Sequence, residues 1–342
     1  MILMRLRLIS RANLLYWVAL VLAPLLGILA FAGVAESKTW HVRKDGTGDT
    51  ASLALALYYA QPGDTVLVGP GLYQQPRIHL GAVHLISESG PESTIIKLWP
   101  QVLDEDVNVI YIDTISNFSI VGFTIRGGAN GTLDAGGGIL CLDSQGVIRN
   151  NIITDNWCAS GGGVACYGPQ ASVIEGNLIV GNQAFSGAAI LVHNCSPVIR
   201  GNTIAGNYAS ILGGSIYVLG ADSYPTISNN IVVNNRSVQF GGILSDIPSS
   251  HVALSCNDVW NNSPGDYCGT LVDQTGINGN ISANPLFCGV TGSGNYYLQA
   301  SSPCAEGHVP GYCGDARMGC YPVKCTVGVK KNSWGDIKSL FK

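Results

Sequence analysis

Short apolar segments recur along most of the chain, and each ends at asparagine or glycine. One ten-residue phrase returns five times: VIRNNIITDN, VIEGNLIVGN, VIRGNTIAGN, TISNNIVVNN and ALSCNDVWNN, which begin at Val147, Val173, Val198, Thr226 and Ala253. The first four are followed by small residues and a further apolar segment: GGGVACY, GAAILVH, GGSIYVL and GGILSDI. Apolar residues that alternate over so few positions predict short β-strands joined by tight turns, not helices.

The phrases align two columns of asparagine at a fixed period. The first column has steps of 26, 25, 28 and 27 residues and consists of Asn151, Asn177, Asn202, Asn230 and Asn257. The second column is Asn156, Asn182, Asn207, Asn235 and Asn262. This period is typical of a solenoid, here a parallel β-helix whose coils stack about 4.8 Å apart. We expect the asparagines to take the left-handed conformation of a turn and to join their amides in a ladder from coil to coil.

The repeat resembles that of the right-handed parallel β-helix proteins of the pectin-lyase-like superfamily. The segment from Trp40 to Gln75, WHVRKDGTGDTASLALALYYAQPGDTVLVGPGLYQQ, is similar to the entry segment of pectinesterase-like members. The resemblance implies that LALALYYA forms a short amphipathic helix over the first coil. The predicted fold is all-β: a right-handed parallel β-helix solenoid of about eight coils with an N-terminal capping helix and a disulfide-rich C-terminal cap. The superfamily includes lyases, hydrolases, esterases, epimerases and proteins without known catalysis, so the resemblance is weak for activity.

The chain is predicted to divide into five segments. Residues 1–35 carry three arginines, a long apolar run and small residues before Glu36, which is typical of a cleaved secretory signal peptide. The apolar run is also long enough to be an uncleaved membrane anchor. The other segments are a first strand and capping helix (36–63), the parallel β-helix (64–270), a cysteine-rich cap (271–325) and a basic amphipathic tail (326–342).

Composition and cysteine usage narrow the class of protein. Charged residues make up 12% of the 342 residues and the formal net charge is −4, so the basic face of a nucleic-acid-binding protein is not expected. All 11 cysteines follow residue 35, which indicates an oxidising compartment and a secreted, extracellular or cell-envelope protein. Spacing leaves the disulfide pairing open. Cys141 and Cys166 are predicted inward neighbours, either as a disulfide or as stacked thiols.

Candidate ligand-binding residues lie on the strand after each glycine cluster. Alternation places four side chains on one exposed strip: Tyr167, His193, Tyr217 and Asp246. Tyrosine rings stack on sugar rings, and His193 is a candidate base. An ordinary sheet face with scattered aromatic residues is the alternative. The stacked aspartates of pectate lyases, the Asp/Asp/Arg constellation of pectinesterases and the paired carboxylates of glycosidases are not recognisable.

Two classes of function remain. We favour a secreted or cell-surface protein that binds polysaccharide or a cell-envelope glycan, or builds the envelope, without catalysis and without a metal or other cofactor. The alternative is a polysaccharide lyase, glycoside hydrolase or carbohydrate esterase that acts on an acidic polysaccharide. The basic tail is a candidate for contact with an export factor or a membrane surface, or it packs on the coil, or it has no function.

Overall fold

A computed structural model of the chain describes residues 36–99, 108–129, 135–289, 294–314 and 316–325. The predicted signal peptide and the basic tail lie outside the described residues. Within those residues, none of the helices combines the length and the apolar character that crossing a membrane requires.

The described residues form one short α-helix, two short 3-10 helices and many short strands. The α-helix is α1 (Leu53–Tyr59), and the 3-10 helices are Ser249–His251 and Gly311–Cys313. The strands, in chain order, are β1 (Thr39–Val42), β2 (Thr65–Val68), β3 (Gly71–Gln75), β4 (Ile78–His79), β5 (His84–Ser87), β6 (Thr94–Leu98), β7 (Ile110–Asp113), β8 (Ser116–Val121), β9 (Thr124–Arg126), β10 (Ile139–Leu142), β11 (Gln145–Arg149), β12 (Ile152–Thr154), β13 (Trp157–Ser160), β14 (Val164–Tyr167), β15 (Val173–Glu175), β16 (Leu178–Val180), β17 (Gln183–Ser186), β18 (Ile190–His193), β19 (Val198–Arg200), β20 (Thr203–Ala205), β21 (Tyr208–Leu212), β22 (Ile216–Leu219), β23 (Thr226–Ser228), β24 (Ile231–Val233), β25 (Arg236–Ser237), β26 (Ile243–Ser245), β27 (Ala253–Ser255), β28 (Asp258–Trp260), β29 (Tyr267–Gly269), β30 (Leu298–Gln299) and β31 (Val323–Cys325).

Three parallel sheets run along the solenoid. Sheet 1 has the order β1-β2-β5-β8-β11-β15-β19-β23-β27, sheet 2 has β3-β6-β9-β12-β16-β20-β24-β28, and sheet 3 has β4-β7-β10-β14-β18-β22-β26-β29. A smaller sheet 4 has the order β13-β17-β21-β25. In the middle coils, each of its strands follows the strand of sheet 2 and precedes the strand of sheet 3 in the sequence. Each coil gives one strand to each main sheet, so eight complete coils run from Thr65 to Gly269, and the turns at either end make about ten. The predicted right-handed parallel β-helix is confirmed.

The predicted N-terminal helix is also confirmed. Helix α1 begins after Ser52, whose Oγ accepts a hydrogen bond from the Leu55 backbone N–H at 3.3 Å. Leu53 and Ala56 are buried in the same cluster as Val42 and other residues of the solenoid core. The helix therefore covers apolar side chains that an open solenoid end would expose to water.

The asparagine column between sheets 1 and 2 is a continuous hydrogen-bonded ladder. The side chain of Asn202 shows the pattern: its Nδ2 donates to the Ile174 carbonyl at 2.9 Å and to Asn230 Oδ1 at 3.0 Å. Its Oδ1 accepts from the backbone N–H of Asn177 at 2.9 Å and from Asn177 Nδ2 at 3.0 Å. The amide thus uses two donors and two lone pairs in a fully buried site. The second column, at the end of sheet 2, repeats the arrangement.

The left-handed residue of each turn precedes the ladder asparagine. Positive φ angles of 55°, 62°, 61°, 56° and 57° occur at Asn150, Gly176, Gly201, Asn229 and Cys256. Our expectation that the ladder asparagines themselves take this conformation is wrong. In each turn the left-handed residue comes first and the ladder asparagine follows it. Asn150, for example, is left-handed and exposed, and the next residue, Asn151, directs its side-chain amide into the core.

The C-terminal cap has two parts. Residues 271–283 cover the last coil, where Leu271 joins the core and Asn280 extends the ladder by accepting from the Asn257 backbone N–H at 3.0 Å. The chain then folds back along the outside of sheet 2. Only the first part of the cap therefore closes the open end of the solenoid. This outer part packs against Ala205, Ile231 and Val233 through Leu298, Cys304, Val309 and Met318.

Disulfides support the cap, as predicted. Cys256 pairs with Cys313, which ties the cap to a turn of the solenoid, and Cys288 pairs with Cys325 within the cap. Cys141 and Cys166 lie in register on β10 and β14 and remain thiols inside the core. The Cys195 thiol is also buried there and donates to the Cys166 carbonyl at 3.2 Å.

The ladder predicts a large effect for one substitution. Asn202→Leu leaves the donors and acceptors of Asn177, Ile174 and Asn230 without partners in a dry core, and each such group costs about 1–3 kcal/mol. We therefore expect the free energy of unfolding, measured by urea titration, to fall by about 3 kcal/mol or more. The matched control is Asn229→Gly at a left-handed position, which should change stability by less than about 0.5 kcal/mol. Equal effects would contradict the ladder argument.

Candidate ligand-binding groove

The four strip residues lie on or beside sheet 3 and form two pairs. Tyr167 and His193 are in register on neighbouring strands, and their rings meet edge to face with centroids 5.2 Å apart. Burial raises the pKa of Tyr167 to about 12. The Tyr217 hydroxyl donates a hydrogen bond to the Asp246 carboxylate on the next coil.

Tyr217 is not part of an exposed strip. Its side chain is 7% exposed and packs in a cluster with Leu191 and Leu244. The left-handed turns at Gly187 and Gly213 lie close over it, because a Cβ added to either glycine would stand 3.3 or 3.0 Å from the tyrosine Cβ. The expectation of exposure is therefore wrong for Tyr217. A ligand-binding role for the strip stays a prediction.

A recess lies between the solenoid and the C-terminal cap, and we call it the cap groove. Its first compartment has a volume of about 360 Å³ and is lined by Ala205, Gly206, Asn207, Tyr208, Asn234, Arg236, Phe287, Gly294, Asn295 and Tyr296. Its second compartment, of about 300 Å³, is lined by Glu92, Ile152, Leu178, Gly294, Asn295, Tyr297, Tyr321 and Lys324. Gly294 and Asn295 border both compartments, so the two adjoin each other.

The first compartment combines aromatic surface with a free positive charge. Tyr208 is 44% exposed at the start of β21, and the Phe287 and Tyr296 rings meet edge to face at 5.1 Å. Arg236 is exposed at the start of β25, and its guanidinium makes no ion pair or hydrogen bond with the residues that the structure describes. A planar guanidinium beside aromatic faces suits a ligand that carries a carboxylate on a ring.

The second compartment repeats this combination. The Tyr297 and Tyr321 rings stack with centroids 4.6 Å apart, and burial raises the pKa of Tyr321. Lys324 Nζ lies 4.1 Å from the centroid of the Tyr297 ring. Glu92, on the turn before β6, adds a carboxylate to the lining. Each compartment therefore holds one basic residue beside tyrosine.

Sequence reasoning did not find this groove. Its walls come from turns of the repeat and from the irregular chain after it, and no spacing relates the two. The available signals were the neighbouring Tyr296 and Tyr297 in the cap and the two outward residues Tyr208 and Arg236, which follow the ladder asparagines of the second column.

A buried carboxylate and thiol connect the cap to the last coil. Asp258 Oδ1 accepts from the Ala283 backbone N–H at 2.9 Å, and Oδ2 accepts from the Cys304 thiol at 3.2 Å. Both side chains are fully buried. Burial raises the pKa of Asp258 to about 7 and also raises the pKa of Cys304. Among the described residues, no three His, Cys, Asp or Glu side chains are grouped so as to hold a metal ion.

Comparison with a known protein family agrees with the observed fold. The sequence profile of the right handed beta helix region matches residues 108–293, more than half of the chain, and the protein belongs to this family. No curated protein gave a significant match.

The solved structures to which this chain is similar are distant from it. A pectate lyase is 11% identical with a TM-score of 0.41, and the match covers 85% of this chain and 98% of that chain. Pectin methylesterase PemA from Erwinia chrysanthemi is 12% identical with a TM-score of 0.38 over 73% and 93% of the two chains. The carrot pectin methylesterase is 12% identical with a TM-score of 0.37 over 72% and 88%. Similarity at this level carries no information on activity.

The Asp258 carboxylate predicts a pH dependence of stability. Because its pKa is raised in the folded state, the folded protein binds the proton more tightly than the unfolded chain. The stabilisation is complete below the ordinary aspartate pKa and is lost as the pH rises through about 7. One pKa unit corresponds to about 1.4 kcal/mol, so the loss is roughly 4 kcal/mol.

Urea unfolding at pH 5, 6, 7 and 8 measures this dependence. Asp258→Asn should flatten the decline relative to wild type, because its amide keeps an acceptor for Ala283 and does not ionise. Asp222→Asn, at an exposed aspartate, is the control and should keep the wild-type slope. Identical slopes in all three proteins would show that Asp258 does not titrate in this range.

Proposed function

We propose that this protein is a secreted or cell-surface β-helix protein that binds an acidic polysaccharide in the cap groove without altering it. The observation that carries the proposal is the guanidinium of Arg236, which lacks an acidic partner among the described residues and stands beside Tyr208 and Tyr296. Uronic acid residues present a carboxylate for the guanidinium and an apolar ring face for the tyrosines.

The length of the groove favours a polymer over a single sugar. The second compartment touches coils from β6 to β16, and the first touches coils from β20 to β25. Five coil-to-coil spacings of about 4.8 Å separate the β6 coil from the β24 coil, so the two compartments together extend over about 24 Å. Arg236 and Lys324 lie in different compartments, so a chain with repeated negative charges meets a basic residue in each.

The small number of carboxylates in the described lining of the groove favours binding over catalysis. Glycoside hydrolysis uses two carboxylates about 5–10 Å apart. The described lining of the groove contains one carboxylate, that of Glu92, and not a pair. Asp258 is fully buried under the cap, where it accepts hydrogen bonds from Ala283 and Cys304 and cannot reach a ligand.

An extracellular or envelope location is part of the proposal. Its support is the pair of disulfides, the apolar segment within residues 1–35 and the many cysteines that follow it. A cell-envelope glycan is one source of such a polymer. Contact of the basic tail with an export factor or a membrane surface remains a separate prediction.

Calorimetric titration with polygalacturonate tests the proposal. Arg236→Gln and Tyr208→Ala should each weaken binding about five- to thirtyfold, because a charge-assisted hydrogen bond and a ring contact are each worth about 1–2 kcal/mol. Tyr167→Ala on the sheet 3 strip is the matched control and should bind as wild type. Full methyl esterification of the polymer should abolish binding through loss of charge.

Other outcomes would contradict the cap groove as the site. If Tyr167→Ala weakens binding and the two groove variants do not, the ligand lies on the sheet 3 strip. Release of reducing ends or of unsaturated uronate during the titration would favour the enzyme alternative over binding alone.

A further inference from the structure

Two positively charged side chains lie side by side on the outer face of sheet 2, in its N-terminal coils. Lys97 on β6 is in register with Arg126 on β9, and the residues before them, Ile96 and Ile125, are buried in the core. Lys97 and Arg126 therefore point outward. Neither has an ion pair or a hydrogen bond with the residues that the structure describes. We call these two residues the cationic pair.

The side chain of Lys97 leans toward the coil that carries Arg126. A Cβ added to Gly127 would stand 3.3 Å from Lys97 Cγ and 3.5 Å from Lys97 Cε, so the lysine stem lies beside the end of β9. Both side chains of the pair are half-buried. Arg126 Nε is buried without a partner, whereas its two terminal nitrogens and Lys97 Nζ are open to solvent. The accessible parts of the pair are therefore its charged ends.

The described surface around the cationic pair does not neutralise it. Gln74, which is in register with Lys97 on the preceding coil, is uncharged. Asp155 follows on the coil after Arg126, but its Oδ1 lies 3.9 Å from the position of a Cβ on Gly181, one coil farther from the pair. Like charges directly opposite each other on neighbouring strands destabilise a sheet. An anionic ligand that contacts both charged ends would remove this repulsion.

The cationic pair adjoins the second compartment of the cap groove. Ile152, which lines that compartment, is in register with Thr124, and Thr124 precedes Arg126 by two residues on β9. The pair therefore lies where a polymer in this compartment would pass onto the open face of sheet 2. Trp99, two residues after Lys97, is 52% exposed and adds an aromatic ring to the same outer face.

We propose that the cationic pair is a further subsite, which binds one carboxylate of an acidic polysaccharide next to the second compartment. The Lys97 ammonium and the Arg126 guanidinium donate to the carboxylate oxygens, and the Trp99 ring contacts a face of the sugar. The bound carboxylate also relieves the repulsion between the two cations. The inference rests on the function proposed for the cap groove and extends it, because the polymer then meets basic residues at three places: Arg236, Lys324 and the pair.

Calorimetric titration of the full chain with polygalacturonate tests the subsite. Lys97→Gln and Arg126→Gln should each weaken binding about three- to tenfold, and this loss should shrink at high NaCl concentration, because salt screens exposed charges. Lys97→Arg keeps the charge and should keep most of the affinity. Arg149→Gln, which removes an arginine from sheet 1 on the next coil, is the matched control and should bind as wild type.

The melting temperature of the free protein separates a ligand subsite from a structural role. Lys97→Glu turns the like-charge contact into an ion pair with Arg126, so the free protein should melt at or above the wild-type temperature. The same variant should bind polygalacturonate more weakly than Lys97→Gln does. A marked fall in melting temperature in both Lys97 variants would show that the lysine serves the fold, for example by holding the acidic residues 104–106, and would overturn the proposal.

The outcomes also distinguish this subsite from the cap groove. If Arg236→Gln weakens binding but Lys97→Gln and Arg126→Gln do not, the groove remains the site and the subsite is wrong. If the wild-type protein does not bind polygalacturonate at all, both proposals are wrong.

Discussion

The coil-to-coil amide ladder is the interaction on which the rest of this structure depends. A buried amide such as that of Asn202 makes four hydrogen bonds, and each partner lies on a neighbouring coil. A slip of one residue would bring an apolar or outward-facing side chain to the corner and leave those groups unmatched. The ladder therefore fixes the register of sheets 1 and 2 and, through them, the position of every outward side chain.

The cap follows from that register. Stacking places Ala205, Ile231 and Val233 side by side on the outside of sheet 2, where they would form an apolar face in water. The chain after the solenoid covers this face and is tied to it by the Cys256–Cys313 disulfide. Where the cap meets the turns that carry Tyr208 and Arg236, a groove remains. The candidate site is thus a boundary between the periodic and the irregular parts of the chain.

The sequence was informative where interactions repeat. The asparagine period predicts the coil, the ladder position and the approximate number of coils, because each is enforced many times. It does not say which residue of a turn is left-handed, since asparagine suits both roles, and Asn150 and Asn151 occupy one each. Burial of Tyr217 depends on glycine turns that fold over it, and the cap groove depends on contacts between distant segments. Neither the burial of Tyr217 nor the cap groove produces an alternation of apolar and polar residues that can be recognised in the sequence.

Hydrogen–deuterium exchange with and without an acidic oligosaccharide tests the central claim most directly, because it reports on every turn of the solenoid at once. The account predicts slower exchange on binding in residues 205–208, 234–236 and 294–297, which line the groove. Residues 164–167 and 190–193 of sheet 3 should be unchanged. Slower exchange confined to those sheet 3 strands, or no change anywhere at saturating ligand, would contradict the account.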